Sequence, residues 1–234
     1  KDREGLSEIH RLFATDRDIH TITEAMEGAD VFLGLSAGNI INQDQIRSMA
    51  ENPIVFALAN PTPEISYELA MASRKDIIMA TGRSDYPNQV NNVIGFPYIF
   101  RGALDVRATG INEKMKLAAA LAIADLAKQH VPDIVNKAYG ESKLAFGKTY
   151  LIPKPLDPRL ITTIAPAVAK AAMESGVAKT KIEDWEAYEL DLQERIGIDQ
   201  RLMARVVTRA KKDPKKVVFA EADNPKILKA AQIM

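Results

Sequence analysis

Apolar residues gather in three short uninterrupted runs, at residues 31–35 (VFLGL), 54–59 (IVFALA) and 77–80 (IIMA). Continuous rather than alternating apolarity marks strands buried on both faces, as in a parallel sheet. The stretches between the runs read as helices. Thr21 and Glu24 form a capping box, with Ile19, Ile22 and Met26 at helical spacing. Asn42 and Gln45 form a second, which turns Ile46 and Met49 inward. Residues 66–72 predict a shorter helix. Strands alternating with helices predict an α/β fold, a parallel sheet with right-handed crossovers.

Further along, residues 97–126 keep a helical pattern, and the Ala/Leu-rich part at 118–127 predicts a buried helix. Residues 139–158 are punctuated by Gly and Pro and predict a loop. Asp157-Pro158 then opens a helix through Ile164, Val168 and Met173, with Ser175-Gly176 as its stop. Beyond Lys179 the composition shifts. Ile182, Trp185, Tyr188 and Leu192 sit at helical spacing among many charges; Gly197 interrupts the run, and Leu202 and Val206 resume it. A basic cluster of Arg209, Lys211, Lys212, Lys215 and Lys216 follows around Pro214. No aromatic interleaves it, so it reads as the solvated face of a linker rather than a nucleic-acid patch. Residues 216–220 predict a strand, and residues 224–234 a helix with no stop signal, so a second α/β unit is expected to begin here and both ends of the sequence look cut.

Composition narrows the classes. Lys+Arg and Asp+Glu are both 31, giving a formal net charge of +0. That balance argues against a broadly basic nucleic-acid binder and against an acidic disordered chain. With no Cys, thiolate metal sites, disulfides and Cys nucleophiles are excluded. No apolar run is long enough for a membrane span, and a soluble, cytoplasmic protein is expected. At 234 residues and 47% hydrophobic, the chain suits one α/β domain, or one plus part of another.

In open parallel sheets, ligands bind beyond the carboxyl ends of the strands. The loops there are residues 36–39, 60–64 and 81–92, and they supply the candidates Ser36, Asn60, Asn91 and Asn92. Asn amides donate and accept without charge, which suits a carboxamide, a ribose hydroxyl or a carboxylate. Each candidate also has a local reading. Asn60-Pro61 is a turn former, one of Asn91 and Asn92 is a cap for the following helix, and Ser36 bonds its own loop. His10, His20 and His130 lack spaced partners and read as surface residues; no Asp pair has metal-ligand spacing, and no GxGxxG run is present. The residues by themselves lead to a ligand-binding α/β domain.

Together the loops carry a resemblance. Residues 56–64 (FALANPTPE) and 81–93 (TGRSDYPNQVNNV), with Phe96-Pro97, residues 102–106 (GALDV) and 152–159 (IPKPLDPR), resemble bacterial malic enzymes. Residues 215–221 (KKVVFAE) resemble the opening strand of a phosphotransacetylase-like domain, which the large hybrid malic enzymes carry after their catalytic region. The resemblance implies a Rossmann-like sheet and three parts. Residues 1–178 are the C-terminal part of an NAD(P)-binding domain, 179–214 a helical linker, and 215–234 the start of the appended domain.

The activity implied is oxidative decarboxylation of L-malate to pyruvate and CO2, with NADP or NAD and with Mg2+ or Mn2+. By motif, Ser36 and Asn60 are expected at the cofactor, and Asn91 and Asn92 at the malate carboxylate. The family's acid and base, metal ligands and phosphate loop have no match in this sequence, so no catalytic or metal residue is assigned. A homo-oligomer and an acetyl-CoA effector at the appended domain are expected as partners. The alternative is a non-catalytic nucleotide-binding or regulatory α/β module.

Overall fold

The computed structural model describes residues 5–141, 143–195, 209–210, 212–214, 216–219 and 227–228. The chain divides into two compact units, residues 1–181 and 182–234.

In the first unit, strands β1 (Val31–Gly34), β2 (Ile54–Ala57) and β3 (Ile78–Thr81) form a parallel sheet in the order β1-β2-β3. The register pairs Val31 with Ile54 and Ile54 with Ile78, so all three strands end level at Gly34, Ala57 and Thr81. Helices α1 (Glu8–Leu12) and α2 (Ile22–Met26) precede the sheet; α3 (Gln43–Arg47) and α4 (Tyr67–Ser73) lie in the crossovers. Both expected capping boxes form, Thr21 with Glu24 on α2 and Asn42 with Gln45 on α3, and Ser66 caps α4. Met26, Ile46, Met49, Ile65 and Ala70 from the helical layer close over Val55, Ala57, Ile77 and Met79.

One expectation about the sheet is corrected. β2 and β3 are largely buried, but Val31 and Leu33 of β1 are 56% and 58% exposed. Val31 and Leu33 alternate with Phe32 and so share one face of β1, which is left largely uncovered among the described residues, whereas Phe32 packs against the core from the other face.

The helical pattern at 97–126 resolves into two helices, α5 (Phe96–Asp105) and α6 (Glu113–Lys128). Asn112 caps α6 through the Met115 N–H, and Arg107 takes a left-handed φ of 49° in the turn between them. Side-chain periodicity carries on across this break, which is why the pattern reads as continuous. The Ala/Leu-rich stretch is only half buried: Ala119, Leu126 and Ala127 face inward, while Leu121 is exposed. A short helix α7 (Asp133–Ala138), not foreseen, follows, and the loop expected after it leads to α8 (Arg159–Glu174). Pro158 and Ser175 bound α8 as expected, and Gly176 takes φ 76° beyond it.

Helices α5 and α6 both pack on α8. Gly102 sets the α5–α8 approach, since a Cβ there would stand 2.9 Å from Val168 Cβ and 3.1 Å from the Ala169 nitrogen. Asn112 Nδ2 donates to Ser175 Oγ at 2.9 Å, and Thr109 N–H to the Val177 carbonyl at 2.9 Å, so the α5–α6 turn is tied to the end of α8.

The second unit contains α9 (Trp185–Arg195), where Leu192 is buried as its spacing predicts. Of the expected strand at 216–220, residues 216–219 are described and form none, with Val218 93% exposed. A strand needs a neighbour to take its N–H and C=O groups, and among the described residues none is paired to these. Gly197, Leu202, Val206 and most of the expected terminal helix lie outside the described residues.

Candidate functional site

Because the strands end level, the three loops that follow meet at one edge of the sheet. They enclose an open groove of about 430 Å³, lined by Leu35 and Leu58, by Asn60 and Pro61, and by Arg83, Val90, Asn91 and Asn92 among others. Asn60, Asn91 and Asn92 are thus brought together. Ser36 is not among the lining residues; it is exposed, and its backbone N–H donates to Glu64 Oε1 at 3.1 Å.

The two neighbouring asparagines divide their tasks. Asn91 caps the single 3₁₀ turn at Asn92–Ile94, its Oδ1 accepting from the Val93 N–H at 3.0 Å. The side chain of Asn92, exposed at the groove, makes no hydrogen bond among the described residues, and neither does that of Asn60. The Asn60-Pro61 peptide bond is cis. Two uncommitted amides therefore face one groove, each able to donate and accept.

Glu64 holds the loops in place. It is 0% exposed, and its carboxylate accepts from Ser36 N–H and from Ala59 N–H (Oε2), both at 3.1 Å. One side chain thereby joins the loop after β1 to the residue before Asn60. The carboxylate lies directly under Gly34, where a Cβ would come to 2.5 Å from Oε1 and 2.8 Å from Oε2. Gly34 is required for this close approach.

Asn88 performs the same service for the third loop. It is buried with a left-handed φ of 53°. Its Nδ2 donates to the Met79 and Lys148 carbonyls at 2.9 and 2.7 Å, and its Oδ1 accepts from Leu151 N–H at 2.7 Å. The segment 83–92 is thereby fixed to both β3 and the 148–151 turn.

Arg83 is the charged residue of the groove. Its Nε and Nη2 donate to Asp85 at 3.0 and 2.7 Å, and its guanidinium lies 5.3 Å from the centre of the Tyr86 ring. Hydrogen bonding from Arg83 lowers the Asp85 carboxyl below its ordinary range. Tyr86 stacks on Tyr67 at 4.6 Å and donates its hydroxyl to Glu68; that bond lowers Glu68 and raises Tyr86.

Sequence reasoning passed over Glu64, Asn88 and Arg83 as candidates. The available signal for Glu64 was a carboxylate between Pro63 and Ile65 in a strand-end loop, a residue type that is seldom buried without partners. His10 and His130 are exposed; among the described residues the His20 ring meets Asp18 and its backbone N–H donates to Glu24. Among the described residues no three His, Cys, Asp or Glu side chains form a metal-binding group, and no helix is long and apolar enough to cross a membrane.

Comparison with known proteins gives the chain's family. Residues 2–137 match the family described as malic enzyme, NAD binding domain. The chain is 52% identical over 228 residues to an NADP-dependent malic enzyme of Rhizobium meliloti (strain 1021), covering 97% of this chain and 30% of that protein. It is 49% identical over 237 residues to an NAD-dependent malic enzyme of the same organism, covering 100% of this chain and 31% of that protein. The chain thus spans somewhat under a third of the length of these curated relatives. Among solved structures, the malic enzyme from Pyrococcus horikoshii Ot3 superposes with a TM-score of 0.62 at 39% identity, over 80% of this chain and 40% of that one. On sequence and fold together, the chain belongs to the malic enzyme family, through its NAD-binding domain.

Proposed function

We propose that this chain serves, within a longer protein, the oxidative decarboxylation of L-malate to pyruvate and CO2 with reduction of NAD(P)+. The observation that carries the reading is the groove at the carboxyl edge of the sheet, where the amides of Asn60 and Asn92 are both uncommitted. An uncommitted amide complements the carboxamide of a nicotinamide or a carboxylate oxygen, so the residues present fit a dinucleotide and a small acid. When bound, the nicotinamide supplies the acceptor for the hydride from malate C2.

In this reading Asn60 orients the cofactor's nicotinamide end, with Ser36 further along the same edge. Asn92 donates to a malate carboxylate. Asn91, its oxygen engaged in the cap, sets the direction of Asn92. Leu35, Leu58 and Val90 give the groove apolar walls that limit water. Mg2+ or Mn2+ is expected from the resemblance, yet the described residues do not fit a metal, so no ligand of this chain is assigned and no step is routed through one.

The remaining partners follow the same family reading. A homo-oligomer would cover the exposed Phe96, Phe100, Leu104, Leu117 and Leu121. An acetyl-CoA effector would act through a phosphotransacetylase-like domain opening near residue 215, in a cytoplasmic enzyme. The test is malate-dependent reduction of NADP+ and NAD+ by the full-length protein, followed at 340 nm. Malate turnover supports the reading. Dinucleotide binding with no turnover of malate would return the chain to the non-catalytic alternative.

A further inference from the structure

Arg83 is the charged residue in an otherwise neutral groove lining, and its donors are only partly used. Asp85 takes the Nε and Nη2 edge. The Nη1 edge has no hydrogen-bond partner among the described residues. The guanidinium is braced from two directions, by the bidentate carboxylate and by the Tyr86 face, and Tyr86 is itself held by Tyr67 and Glu68. Such a group is preorganised: its plane is fixed, and its free edge stays charged at any working pH. Exposure of 52% for its side chain leaves that edge accessible to a ligand. Asn60 and Asn92 line the same groove, so whatever small acid they meet comes within reach of Arg83.

We propose that Arg83 is a specificity-determining residue whose free guanidinium edge binds the malate carboxylate that is retained in pyruvate. This deepens the functional reading above and rests on it. The choice between the two carboxylates follows from charge. The departing carboxylate loses its negative charge as CO2 forms, so a guanidinium on it would stabilise the ground state over the transition state. The retained carboxylate keeps its charge throughout, and a fixed cation there binds substrate and transition state alike. Arg83 should therefore govern KM far more than kcat.

The experiment uses the full-length enzyme with Arg83→Gln and Arg83→Lys. Arg83 is half exposed and thermal melts check that the variants fold. Malate and dinucleotide are varied separately, and pyruvate, which carries only the retained carboxylate, is used as a product inhibitor. For Arg83→Gln the malate KM should rise about 10–100-fold, the scale of a lost hydrogen bond between charged groups. The pyruvate Ki should rise in parallel, kcat should change much less, and the dinucleotide KM should stay within about twofold. Arg83→Lys should recover part of the loss by keeping charge without the planar fork. A malate KM within about threefold of wild type overturns the proposal, as does a rise confined to the dinucleotide KM. If wild type does not turn over malate, the functional reading fails separately. Calorimetric titration with pyruvate then decides: binding to wild type lost in Arg83→Gln upholds the carboxylate role, and no difference between the two overturns it.

Discussion

Gly34 and Glu64 allow the sharpest test of how the groove is built, because each occupies space the other forbids. Replacing Glu64 by Ala leaves the Ser36 and Ala59 N–H groups without the carboxylate they reach at 3.1 Å. A hydrogen bond to a charged group contributes about 1.5–3 kcal/mol, so the loss of two should be about 3–6 kcal/mol. Gly34→Ala puts a methyl 2.5–2.8 Å from the carboxylate oxygens and must expel them. It loses the same two bonds and adds strain of about 1–3 kcal/mol, offset by about 0.5–1 kcal/mol from removing a strand glycine. That comes to about 3–8 kcal/mol.

In the double variant the methyl finds the carboxylate already gone. The combined loss should stay at about 3–6 kcal/mol, where additivity would give about 6–14, a coupling of about 3 kcal/mol or more. Urea unfolding of wild type, both single variants and the double, followed by circular dichroism, measures all four states. Additive losses would refute the claim that the carboxylate and the glycine share one site.

Three further predictions follow from the same geometry. Asp76 accepts from Arg74 Nε and Nη2 and from the Asn52 N–H, and the Arg74 hydrogen bonds hold its carboxyl far below the ordinary range. A depressed folded-state pKa contributes stability that is fully present above the unfolded value, about 3.9, and is lost as pH falls from there towards the folded value; unfolding midpoints between about pH 5 and 2 should fall more steeply for wild type than for Asp76→Asn. Asn88→Ala strands the Met79 and Lys148 carbonyls and the Leu151 N–H and puts Ala at φ 53°, so it should lose about 3–5 kcal/mol, with Asn88→Gly losing less, as read by thermal melting. In the full-length enzyme Asn92→Ala should lower kcat/KM for malate by about 10–1000-fold in a folded protein, while Asn91→Ala, which removes a cap worth about 1 kcal/mol, should act more on stability than on turnover.

The sequence by itself determined the local and periodic features. Two capping boxes, the short helix at α4, the three strands and the end of α8 at Ser175-Gly176 all form where the residues place them. Each depends on a few neighbouring residues whose spacing is visible in the chain. The strand-end loops also single out Asn60, Asn91 and Asn92, which line one groove in the structure. Tertiary structure decided the rest. Whether Asn91 or Asn92 serves as the cap depended on which amide oxygen meets the Val93 N–H. The exposure of one face of β1 depended on which face the fold covers, which its apolar run does not encode. The tasks of Glu64 and Asn88 arise from contacts with residues 28 and 60 or more positions away, such as Ser36, Lys148 and Leu151. No periodicity along the chain reports such contacts, because a buried polar side chain is defined by the backbone groups that the fold brings to it.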